Sequence, residues 1–175
     1  MIEELISRND SGPMKPSPSP LIAKKDHAAD TSQCVRRHLR FGWWGLLAFL
    51  TMGLMLEGFH GFKAGFYLDV SMGTRRLMWT LAHANGTLLG LVNIGFSVTA
   101  DFLPNWDARP RALASASLTT SSILIPGGFV LGGAILHSTD PGLGILLVPL
   151  GALFLFSAVF LTARAAVQAQ SADPD

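Results

Sequence analysis

The chemistry-bearing residues of this chain are few, and several fall where the surroundings are apolar. Glu57 and His60 form a Glu-x-x-His pair, His83 follows, and His137 lies further on. Ionisable groups inside membrane spans are costly and are functional candidates by default. At i and i+3 on a helix, Glu57 and His60 share a face, a spacing that recurs in metal sites of helical bundles. Imidazole nitrogen and carboxylate oxygen suit iron, copper or zinc. Histidines from two helices can also hold haem iron. Glu57, His60, His83 and His137 are therefore candidate metal ligands, and His83 the candidate cofactor ligand. The same side chains can instead satisfy one another, with Glu57 paired to His60, His83 or Lys63, because buried polar groups demand partners. Asn85 and Asn93 are further polar candidates. Asn93 can line a polar cavity with Glu57 or hydrogen-bond between helices. His137, at a helix end, can face water, and His27 and His38 are expected to be solvated.

The elements that must position these groups are read from composition. Hydrophobic residues make up 49% of the 175 and charged residues only 14%, against about 25% charged in a typical soluble domain. The apolar residues lie in four blocks, 41–62, 77–100, 112–136 and 143–163. Each is long enough to cross about 30 Å of hydrocarbon as a helix. Lipid leaves every backbone group to be satisfied within its own segment, so open strands are excluded. The sequence predicts an all-α, integral-membrane, up-down four-helix bundle over 36–167. A disordered polar tail over 1–35, broken by Pro13, Pro16, Pro18 and Pro20, precedes it. A short polar tail, 168–175, follows. Pro126-Gly127-Gly128 predicts a kink in the third span. Gly61 and Gly65, Gly86 and Gly90, and Gly128 and Gly132 recur at a spacing that lets helices approach closely.

All thirteen Lys and Arg except Lys63, Arg75 and Arg76 fall on the side of the N-terminal tail, the 101–111 loop and the C-terminus. The positive-inside rule then places both termini in the cytoplasm, in a bacterial-type inner membrane. Trp43, Trp44, Trp79 and Trp106 are expected at the span ends. Counted from the outer ends, Glu57 lies about 6 Å deep and His83 about 9 Å deep, so the two can meet between the first and second spans. Cys34 is the only cysteine; it reads as a reduced thiol, or a palmitoylation point.

No phosphate-binding loop, Cys-x-x-Cys pair or nucleophile elbow is present, and net charge +1 gives no field for nucleic acid. The expected partners are the lipid bilayer and other membrane subunits or a second copy of the chain. The stretch from Arg76 through His83-Ala-Asn-Gly-Thr-Leu-Leu-Gly90 resembles a histidine helix of proteins similar to haem–copper oxidase subunit I. Asn85 stands where small relatives of that type often carry a second histidine. The resemblance thus implies His83 alone as a haem or metal ligand. The same stretch and the four-helix layout also resemble hydroxylaminobenzene mutase, a small membrane-bound isomerase. Three functions are expected on this basis: a haem- or metal-binding subunit of a membrane redox system, a non-catalytic membrane scaffold, or an enzyme acting on a membrane-soluble small molecule.

Overall fold

The computed structural model describes residues 19–68, 73–103, 105–134 and 140–171. It is all-helical, with α1 at Pro20–Gly61, a short α2 at Gly65–Leu68, α3 at Gly73–Phe102, α4 at Ala108–Ala134 and α5 at Leu147–Ser171. A 3-10 turn at Leu143–Leu146 leads into α5. Four helices are long and apolar enough to cross a bilayer. This is the four-helix architecture of a small multi-pass membrane protein.

α1 starts much earlier than composition suggests. Residues 20–35, expected to be disordered, are helical. Pro20 occupies the first helical turn, where its missing N–H costs nothing. Good helix formers follow it, including Leu21, Ala23 and Lys24. At 1.5 Å per residue α1 is about 63 Å long, roughly twice the hydrocarbon thickness, so its polar half cannot share the lipid. α1 ends in a Schellman turn: Ala64 N–H donates to the Phe59 carbonyl at 2.9 Å and Lys63 N–H to His60 at 3.2 Å. Lys63 takes the left-handed position (φ 51) that usually falls to glycine. α5 runs on to Ser171, into the polar C-terminal segment. The helix of α4 is continuous through Pro126.

The helices pack in the order α1, α3, α4, α5, with α1 and α5 at the edges. Small residues set the seams. On α1, Gly42 lies under Ile94 and the Gly90 carbonyl of α3, while Gly53 lies under the ring of His83. On α3, Gly86 receives the ring of Phe49. The paired positions thus run in opposite order along the two helices. Gly128 and Gly132 of α4 pack against Gly144, Ile145 and Val148. Gly61 and Gly65 do not belong to a seam, since a side chain at either would meet open space.

The interior encloses polar groups beside an apolar core, and the surface is rich in large apolar side chains. His38, Asn93, Ser97, Arg111, Ser115 and Ser121 are buried, while Trp43, Leu54, Leu153, Phe156 and Phe160 are exposed. Soluble monomers rarely expose apolar surface on this scale. Lipid instead accepts such a surface and drives the polar groups inward.

Candidate functional site

Polar groups gather at both ends of the helix row. One end holds Asp30, Arg37 and Arg111; the other holds Glu57, His60 and Arg76.

At the arginine end, His38, expected to be solvated, is 1% exposed. It lies where α1, α3 and α4 converge. The amide of Asn93 fixes its tautomer. Asn93 Nδ2 donates to the Leu89 carbonyl at 2.7 Å and to Ser122 Oγ at 2.8 Å. Its Oδ1 is therefore the acceptor 2.7 Å from His38 Nδ1, which carries the proton. His38 Nε2 then accepts from the Ser115 hydroxyl at 2.7 Å. Ser115 Oγ in turn accepts from the Arg37 guanidinium. Ser122 closes the chain by donating to the Leu118 carbonyl at 2.7 Å. Both ring nitrogens of His38 and both amide hydrogens of Asn93 have partners, and the ring of His38 rests on Phe96 at 4.6 Å between centroids. His38 and Asn93 offer no open valence to a ligand, whereas the exposed Arg37 keeps further guanidinium donors. Chemically the chain of bonds is a clasp across three helices.

Arg111 makes a second clasp. It is 1% exposed and pairs with the exposed carboxylate of Asp30. It also donates to Thr31 Oγ1 at 2.6 Å and to the Trp106 carbonyl at 3.3 Å. The polar extension of α1 is thereby held against the start of α4. Trp106, expected at an interface, is instead buried against Phe96. The sequence carried a signal for this cluster. Ser115 and Ser122 lie seven residues apart on one face of α4.

At the opposite end, Glu57, His60 and His83 line one cleft of about 890 Å³ between α1 and α3. Glu57 and His83 thus line the same cleft, and no hydrogen bond or ion pair joins them among the described residues. Tyr67, Arg76 and Thr80, which the sequence did not single out, line it too. Leu50, Leu54 and Leu77 supply its apolar wall. His83 Nδ1 is 2.7 Å from the Phe49 carbonyl. A carbonyl only accepts, so Nδ1 carries a proton, and the lone pair of the neutral ring is on Nε2. Glu57 has no ion-pair partner among the described residues, Lys63 included. Also among the described residues, no group of three or more His, Cys, Asp and Glu is arranged to hold a metal ion. His137 lies outside the described residues, as do Asp69 and the side chain of His27. Asn85 does not bridge helices; its Nδ2 donates to the Leu81 carbonyl on its own helix at 2.9 Å. Asn93, bonded to α1 and α4, is the interhelical residue.

No protein-family model matches the chain, and no curated protein or solved structure matches it at a significant level.

Proposed function

We propose that this protein binds an amphipathic small molecule in the cleft between α1 and α3. In this reading it is an up-down, multi-pass protein of an inner membrane, both termini cytoplasmic and the cleft in the outer half of the bilayer. The observation that carries the reading is the joint presence in one open cleft of Glu57, His60, Arg76 and His83, beside a leucine wall. Such a site offers a donor, an acceptor and both signs of charge to a polar head. The leucines suit an apolar tail. The volume fits the range of about 300–1,000 Å³ typical of small-molecule pockets and far exceeds a bare ion. His38 and Asn93, enclosed and fully hydrogen-bonded, are a poor alternative.

A second reading is favoured by one detail. An imidazole that donates Nδ1–H to a carbonyl and presents Nε2 has the orientation of a metal-ligating histidine. With Glu57 and His60 in the same cleft, His83 can serve a transition metal ion or haem iron in a redox subunit. The likeness of the His83–Gly90 stretch to an oxidase histidine helix supports the same reading.

Protein purified from its membrane in mild detergent tests both. Solvent extraction with mass spectrometry is expected to release a stoichiometric amphiphile that His83→Ala loses. Stoichiometric metal or a haem absorption band, lost in His83→Ala, would replace the first reading by the second. Bulk lipid alone, identical in both proteins, would overturn both.

A further inference from the structure

A second and larger cleft, about 1470 Å³, opens between α1 and α4 at the arginine end. Its lining carries four guanidinium groups, Arg36, Arg37, Arg40 and Arg111, against the single carboxylate of Asp30. Arg111 is held by Asp30, and Arg37 by Ser115. Arg36 and Arg40 are exposed and have no hydrogen-bond or ion-pair partner among the described residues. The two bound arginines are thus fixed in the wall, and the two unpartnered ones stand on its rim.

We infer that this groove is a site for the phosphate headgroup of an anionic phospholipid. Guanidinium forks match phosphate oxygens in bidentate geometry. Basic pockets between membrane helices at the headgroup level recognise anionic lipids on this principle. The groove does not end at the arginines. It continues past Trp44 and Gly45 on α1 and Ala112 and Ala116 on α4. Trp44 is 68% exposed and lies one helical turn, about 6 Å, beyond Arg40 towards the apolar part of the span. An indole at that level marks the membrane interface. The small side chains of Gly45, Ala112 and Ala116 leave room for an acyl chain along the seam. A free phosphate would satisfy the guanidiniums and leave that apolar floor uncovered, whereas a phospholipid covers both. The arginines also serve orientation in the membrane, but orientation requires only their side of the bilayer. It does not require that two of them be fixed by Asp30 and Ser115 in one wall.

Native mass spectrometry of the full chain in detergent, titrated with phosphatidylglycerol or with phosphatidylcholine of the same acyl chains, tests the inference. The wild type is expected to retain phosphatidylglycerol in strong preference. Arg36→Gln with Arg40→Gln is expected to weaken that retention by about tenfold or more while leaving phosphatidylcholine unchanged. Each single variant gives the same direction, which keeps the test decisive if the pair fails to accumulate. Equal retention of the two lipids by the wild type, or a preference untouched by the variants, would overturn the inference. So would displacement of phosphatidylglycerol by excess inorganic phosphate, which would make the groove a site for free oxyanions. The cleft of Glu57 and His83 lies at the other end of the bundle, so neither result bears on the ligand proposed there.

Discussion

His38 Nδ1 donates to Asn93 Oδ1 across 2.7 Å, and this bond ties the start of the apolar part of α1 to the middle of α3. Asn93 continues the tie to α4 through Ser122. Interhelical hydrogen bonds in lipid contribute only about 0.6–2 kcal/mol each. Removing one partner costs more than its bond, because the others stay buried and unmatched.

Asn93→Leu strands His38 Nδ1–H without an acceptor and takes a donor from Ser122. A loss of about 2–3 kcal/mol is expected, read as a shift in unfolding midpoint in mixed micelles. Asn85→Leu, which breaks only a bond within α3, is expected to stay within about 0.5–1 kcal/mol.

Gly53→Ala places a methyl group into the imidazole of His83. The ring must leave, and with it the bond from Nδ1 to the Phe49 carbonyl. Gly58→Ala, on the same helix, meets open space. Gly53→Ala is expected to cost about 1–3 kcal/mol. Gly58→Ala is expected to be neutral or to gain up to about 1 kcal/mol from helix propensity. Equal effects at the two positions would show that His83 is not seated on Gly53.

Asp30→Ala leaves the Arg111 guanidinium in place without its counter-ion. The extension of α1 is then expected to loosen from α4. Hydrogen exchange should rise over residues 20–35 and stay unchanged in α5. Uniform exchange throughout would mean that the extension holds by some other contact.

Cys34 is the only thiol, so orientation can be read without engineering. A membrane-impermeant maleimide is expected to label it only after the membrane is opened. Labelling in intact cells would reverse the proposed orientation.

The four long helices were legible because apolar block length is a strong signal and the bilayer leaves one backbone solution. The cleft was partly legible, because Glu57, His60 and His83 stand out in apolar surroundings. Arg76, Tyr67 and Thr80 did not, since each is an ordinary residue at a helix end or in a connection. His38 was misread for a physical reason. It follows two arginines at a span boundary, where a histidine usually meets water, and only the convergence of α3 and α4 encloses it. Arg111 escaped for the same reason, because its partner Asp30 lies 81 positions away in a segment that composition marks as a tail. Helix propensity in residues 20–35 was outweighed by the proline run before it.

The cleft is the centre of this account, and a ligand measurement in matched variants tests it most directly. Bound amphiphile per chain would be measured by extraction and mass spectrometry for wild type, Glu57→Gln, His83→Ala and Asn85→Leu, after each passes a folding check in detergent. Stoichiometric ligand is expected in the wild type and in Asn85→Leu, with clear loss in Glu57→Gln and near-complete loss in His83→Ala. Equal ligand in all four proteins, or none in the wild type, would contradict it.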